Sequence, residues 1–219
     1  MDYSLGPRKN FRQNRFVISL LNSTKSIAFF DFDGTITSQD SAWAILLFAK
    51  GKVRVVLGIL WLSPILFLNR FGLMDSQRAK EKVMAHFFKG QSKEELYSLG
   101  SEFLTTLASL QREKAMEKIS WHKEQQHDVV VVSASFEFWL HAWCENQGLQ
   151  LLCTKLEYSD GIFSGRFDGP NCNGQEKAKR IKEAYDLGVY ESIFVYGDTE
   201  GDRAMLDLST ESFFKPFRE

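Results

Sequence analysis

Two carboxylates one residue apart, Asp31 and Asp33, follow the apolar run "SIAFF" and precede Gly34 in "DFDGTIT". In an extended chain, positions i and i+2 project to the same side. The two acids would therefore repel unless a cation or a proton shared the site. A hard cation such as Mg²⁺ takes one or two such oxygens at a time, and Gly34 lets the backbone turn sharply or approach a ligand closely. Alone, the pair is also an ordinary turn, because Asp is common there. Three other segments carry polar groups in comparable places. Ser133 ends "DVVVVS", Lys177 lies near the start of "QEKAKRI", and Asp198 and Asp202 sit in "YGDTEGDRAML". Together they would supply a nucleophile, a second carboxylate, a hydroxyl donor, a cation and a metal ligand. Phosphoryl transfer needs that set, for positioning and for neutralising spread negative charge. Each also has a plainer reading. Ser133 could be a strand-end serine, Lys177 one of four bases (with Lys179, Arg180 and Lys182) on a solvated helix face, and Asp202 an acid favoured at a helix start.

The elements that must position these groups are legible from hydrophobic patterning. "SIAFF" (26–30), "DVVVVS" (128–133) and "SIFVYGD" (192–198) are apolar runs without alternation, the pattern of parallel strands covered on both faces. In open parallel sheets, ligands bind beyond the carboxyl ends of the strands, where all three runs end in polar residues. Helical patterns separate them: 112–126, 136–148 with a C-cap at Gly148, and 175–188 ending in the same way at Gly188. Ser-Asp-Gly within 152–167 predicts a hairpin. The order implies an α/β fold with a doubly wound, Rossmann-like parallel sheet. From 41 to 110 the rhythm changes to consecutive helices, an insertion after the first strand. The expected division is a core of 1–40 and 111–219 and a helical lobe of 41–110. The aromatic "FEFWLHAW" reads as core packing. His86, His122, His127 and His141 show no ligand spacing and fit helix surfaces or edges.

The chain's 219 residues suffice for such a domain and its core. Its 27 basic and 28 acidic residues nearly cancel, which excludes the electrostatic footprint of a nucleic-acid binder. Cys144, Cys153 and Cys172 form no regular or C-x-x-C pattern. That argues against a disulfide framework or structural zinc and for a reducing, cytoplasmic setting. Residues 1–10 read as a loose arm and 11–23 as a short helix, without the flanks of a secretory signal. "VRVVLGILWLSPILFL" (53–68) is shorter than a membrane span and is interrupted by Gly58 and Pro64. Two short buried helices are the expected outcome; an exposed apolar surface touching membrane or lipid is the alternative.

Jointly, "DFDGTIT", "VVVVSAS", "EKAKRI" and "GDTEGDRAML" resemble, in order and spacing, the four motifs of the haloacid-dehalogenase-like (HAD) phosphohydrolases. They span most of the chain. The insertion resembles the helical cap of the phosphoserine phosphatase group. "SGRFDGPNCNGQEKAKRI" resembles the subfamily-IB hydrolases, to which phosphatidylglycerophosphatase C and related small phosphatases belong. The resemblance implies that Asp31 is a nucleophile forming an aspartyl-phosphate and that Asp33 is the general acid and then base. It implies Mg²⁺ on the Asp31 and Asp198 side chains and the Asp33 carbonyl, Ser133 on the phosphoryl oxygens, and Lys177 offsetting charge. Asp202 would orient Lys177 or complete the metal's surroundings. Asp33 favours phosphate-ester hydrolysis, since family members that break carbon–halogen bonds typically lack this second Asp. Asp40 would meet a substrate amino group, or else cap the helix starting at Ser41. Arg78 or Lys80 would meet a substrate acid group, though a solvated helix explains that charge run more simply. The implied substrate is a small amino-containing or a lipid phosphomonoester. The competing functions are a non-enzymatic phospho-acceptor and a membrane-associated scaffold on the same fold. A receiver-type acceptor would carry its Asp on a middle strand, where this chain has Ser133.

Overall fold

The strand β1 (Lys25–Phe30) lies at the centre of a five-stranded sheet of order β3-β2-β1-β6-β7 in a computed structural model that describes residues 25–218. The arm and helix expected within 1–23 lie outside the described residues. Beside β1 run β2 (Asp128–Phe136) and β6 (Tyr190–Gly197), with β3 (Gln150–Thr154) and β7 (Glu211–Phe214) at the edges. Every pairing is parallel. The sheet's two faces follow from period-2 geometry. Ile27, Phe29, Val130, Val132 and Val195 share one apolar cluster with Ile181 and Met205, while Ala28, Phe30, Val129, Val131 and Tyr196 share another with Ala115, Ile119 and Trp143. Burial on both faces is why the four valines run without alternation.

Five helices follow β1: α1 (Ser41–Lys50), α2 (Lys52–Arg70), α3 (Ser76–Phe88), α4 (Lys93–Glu102) and α5 (Leu104–Ser109). Their starts are chemically marked. The Asp75 side chain caps α3 through the Arg78 N–H, and Ser92 and Glu95 form a reciprocal capping box on α4. The chain then returns through α6 (Glu113–Glu124) to β2 and through α7 (Glu137–Gln147) to β3. Helix α7 ends at Gly148, with φ +65°. The "FEFWLHAW" aromatics are core, as expected: Phe138, Trp139 and Trp143 are buried in the same cluster as Phe88, Leu96 and Phe103 of the insertion. A hairpin of β4 (Leu156–Ser159) and β5 (Ile162–Phe167) turns at Asp160–Gly161, both with positive φ. Helices α8 (Gln175–Ala184) and α9 (Arg203–Leu206) flank β6.

Four expectations need correction. The 175–188 helix stops at Ala184, not at a glycine cap. Tyr185 leaves helical backbone, packs its ring edge-on to Phe29 at 5.5 Å and donates to Gln150 Oε1 at 2.7 Å. The first β-prone run of the hairpin segment is divided, its start belonging to β3 of the main sheet. His122 is not at a surface. It is buried, with Nδ1 2.8 Å from His127 Nδ1 and Nε2 2.9 Å from the Tyr196 hydroxyl. Finally, 53–68 forms one helix rather than two buried ones. Pro64 is exposed and removes a single N–H, and the helix continues through it. Only Val55, Gly58 and Leu62 of α2 are buried.

Candidate active site

Sheet register brings the polar strand ends together. Phe30 pairs with Val131 on one side and with Tyr196 on the other. Beyond these pairs β2 runs on to Ser133 and β6 leads into Asp198. Asp31 N donates to Tyr196 O at 2.9 Å, which fixes it at the sheet's carboxyl edge. The chain then makes a wide turn over Phe32–Ile36, closed by Thr37 N to Phe32 O at 3.0 Å. Gly34 has φ +85°, and a Cβ there would lie 2.5 Å from Asp198 Oδ2. Only glycine lets this turn and Asp198 approach so closely.

The turn separates the first two carboxylates. Asp31 is buried and accepts from Lys177 Nζ at 2.5 Å. Asp33 points elsewhere: Oδ1 accepts the Ser41 N–H at 2.6 Å and Oδ2 accepts the Ser135 hydroxyl at 2.5 Å. Lys177, from the first turn of α8, is also buried and donates to Asp202 Oδ1 at 2.7 Å. This rules out the solvated-face reading for Lys177, while Lys179 and Lys182 of the same helix are exposed. The other Asp202 oxygen accepts from the N–H groups of Asp198 (3.0 Å) and Thr199 (2.9 Å) and from the Thr199 hydroxyl (3.0 Å). One carboxylate thus ties the β6 end to Lys177. Asp198 is buried, accepts from Arg218, and lies 3.4 Å from the Thr35 hydroxyl.

Electrostatics follow from this burial. Desolvation pushes the Asp31 carboxyl up to about 7 against the pull of Lys177, with Asp202 and Asp33 adding to the rise. Burial and the nearby Asp40 also raise Asp33, against its Ser135 and Ser41 hydrogen bonds. Burial alone would lower Lys177, but Asp31 and Asp202 outweigh it and hold the ammonium charged. Lys177 and the Thr199 and Asp198 N–H groups in turn keep Asp202 low despite its burial. Oxygens of Asp31, Asp198 and Asp202 lie within 4.8 Å of one another. Three buried carboxylates leave this pocket short of positive charge, and an all-oxygen set suits a hard divalent cation. The residues present fit such an ion.

A cavity of about 220 Å³ opens onto the cluster, lined by Asp31, Asp33, Asp40, Lys80, Ser135, Asn173, Lys177, Thr199 and Asp202, with Ala42 and Ala134. Every predicted site residue lies at this sheet edge, but Ser133 sits differently from expectation. Ser133 is fully buried and its Oγ accepts the Ser135 N–H at 3.0 Å, so Ser135 takes the wall position. Asp40 caps α1 by accepting the Trp43 N–H at 2.9 Å, and it lines the cavity as well. Of the two cations weighed on α3, Arg78 is exposed and away from the cavity. Lys80 reaches in, donating to Ala134 O at 2.6 Å and lying 3.3 Å from Asn171 Oδ1. Burial lowers its pKa against Asp33 and Asp40. Ser135 and Thr199 went unnoticed in the sequence, though signals existed. Ser135 stands two residues after Ser133 in a strand, and Thr199-x-x-Asp202 has capping-box spacing. Arg218 had no signal.

The family model for haloacid dehalogenase-like hydrolases matches residues 28–207. The chain is 34% identical over 194 residues to Protein CicA of Caulobacter vibrioides, covering 86% of this chain and 85% of that protein. It is 25% identical to a histidinol-phosphatase of Neisseria meningitidis (85% and 88% covered). It is 28% identical to phosphoserine phosphatase SerB1 of Mycobacterium tuberculosis (83% and 61%). Among solved structures, a Bordetella pertussis protein of unknown function superposes with a TM-score of 0.74 at 23% identity, covering 87% and 89%. With the motif residues assembled at one sheet edge and the family model spanning both ends of that assembly, the chain belongs to the haloacid dehalogenase-like hydrolase family and is a phosphatase.

Proposed function

We propose that this phosphatase hydrolyses a small phosphomonoester bearing amino and acidic groups, through an aspartyl-phosphate on Asp31 and with Mg²⁺ as cofactor. The observation that carries the reading is the division of labour between the two turn carboxylates. Asp31 is paired with a buried lysine beside Asp198, whereas Asp33 is held 2.5–2.6 Å from the Ser41 N–H and Ser135 hydroxyl at the cavity wall. An Asp31 oxygen attacks phosphorus and the bond to the ester oxygen breaks. Asp33, its carboxyl raised by burial, gives its proton to the leaving oxygen. In the second half, Asp33 takes a proton from water, which attacks phosphorus and releases Asp31. Lys177 offsets charge on Asp31 and the phosphoryl group, while the Ser135 and Thr199 hydroxyls hold Asp33 and Asp202 in place by donating to them. Mg²⁺, held by Asp31, Asp198 and the Asp33 carbonyl, would neutralise phosphoryl oxygens.

The helices of 41–110 act in this reading as a cap that selects substrate over the 1–40 and 111–219 core. Lys80 from α3 and Asp40 before α1 bring opposite charges to one cavity of about 220 Å³. That space suits a small zwitterionic ester better than a diacyl lipid, and the relatives named for phosphoserine and histidinol phosphate are consistent with it. The test is phosphate release from p-nitrophenyl phosphate with Mg²⁺ and its loss with EDTA, followed by a panel including phosphoserine, histidinol phosphate and phosphatidylglycerophosphate. Retained turnover in the Asp31→Asn protein would overturn the mechanism, and preference for the lipid would overturn the substrate.

A further inference from the structure

Helix α2 turns its apolar side outward. Val53, Leu57, Leu60, Trp61, Phe67 and Phe71 are each between 60% and 78% exposed and recur at helical spacing along one stripe. Scattered exposed hydrophobes are ordinary, but a contiguous stripe marks a contact surface. The inner stripe, Val55, Gly58 and Leu62, packs on the insertion, where a Cβ at Gly58 would lie 2.5 Å from the Phe87 ring.

Charge identifies the occupant. Between Asp40 and Asp75 the chain has no acidic residue but carries Lys50, Lys52, Arg54 and Arg70, bases at both ends of the apolar stripe. Lys50 and Arg54 also line a cavity of about 390 Å³ beside Trp61. A second copy docked through this face would bring cations against cations with no carboxylate from the segment to pair them. An anionic bilayer supplies both missing partners, acyl chains and phosphates. Spanning is excluded by connectivity. Just before α2, Ile45 and Leu46 of α1 are buried in the core, and just after it Gln77 and Lys80 at the start of α3 donate to Gly169 O and Ala134 O. The two ends of α2 therefore stay on one side of any membrane.

We propose that α2 is a peripheral docking element that lies in the interface of an anionic bilayer, its apolar stripe at the headgroup boundary and its bases on lipid phosphates. The experiment is vesicle flotation of the full chain with phosphatidylcholine alone and with a phosphatidylcholine–phosphatidylglycerol mixture, at low and high salt. The protein should float with the mixture, weakly with phosphatidylcholine, and less at high salt. Removing two charges in Lys52→Gln/Arg54→Gln should weaken partition by roughly tenfold or more. Leu57→Ser/Trp61→Ser should abolish flotation while p-nitrophenyl phosphate hydrolysis stays unchanged, which shows the variant folded. The native cysteines are all buried, so an environment-sensitive dye on Leu60→Cys labels one exposed thiol and should shift to the blue on mixed vesicles. Active wild-type protein left in solution with mixed vesicles at low salt would overturn the proposal. So would an unshifted dye. A dimer in sedimentation velocity that Trp61→Ser dissolves and mixed vesicles do not compete with would overturn it in favour of a second copy.

Discussion

The sheet edge and the outer face of α2 break the same rule in opposite directions. At the sheet edge, Asp31, Lys177, Asp198 and Asp202 are buried; on α2, Trp61 is 78% exposed. Charged groups are rarely buried unless paired, and large apolar groups rarely line up in water. The first exception is compensated mostly on the spot, because each buried charge has partners within hydrogen-bond distance and the charge left over suits one bound cation. The second has no compensation within the described residues. An inversion whose partners are gathered within the fold points to chemistry done in place, whereas one whose partners are missing points outward to another surface.

Substitutions can break or sharpen that contrast. The largest effect belongs to Asp31→Asn, which should lower kcat by about 10⁴-fold or more without unfolding the chain. Asp33→Asn should lower it by about 10²- to 10⁴-fold. Steady-state phosphate release measures both. Next comes Lys177→Met, which leaves Asp31 and Asp202 without their shared cation. It should cost about 3–5 kcal/mol in urea unfolding, part of which Asp202→Asn in the same chain should restore. A smaller effect comes from His122, held down to about 3 by burial with His127 and Lys118 adding to it. The unfolded chain binds this proton from pH 6.5 downward and the folded chain does not, so stability falls as pH drops through that window. The loss should be roughly 1–2 kcal/mol over the first unit and a half below pH 6.5, and smaller in His122→Gln. Smallest of all, Leu60→Ser should change stability by no more than about 0.5 kcal/mol, since that side chain is mostly exposed. A loss of several kcal/mol there would mean that α2 is core after all.

The central sheet could be read from sequence because a strand buried on both faces must be apolar throughout, as in "DVVVVS". Asp31, Asp33, Lys177, Asp198 and Asp202 were found because they adjoin such strands or a helix start. What escaped depended on three-dimensional neighbours. "VRVVLGILWL" and "FEFWLHAW" have similar apolar character, yet one is exposed and the other buried, because α7 lies between sheet and insertion while α2 has neighbours on one side only. Lys80 could not be told from Arg78 by charge, since only the path of α3 decides which one reaches Ala134 O. Arg218 meets Asp198 across 20 residues, through β7 laid beside β6, and no local pattern encodes that.

The register of β1 against β6 also bears on how the molecule comes into being. Phe30 pairs with Tyr196, so the first described strand waits for one of the last before its second edge is closed. Such distant parallel pairing makes ring closure slow. Lys177, Asp198 and Asp202 lie just before β6 or just after it in the chain, so Asp31 gains its lysine only about when β6 joins β1.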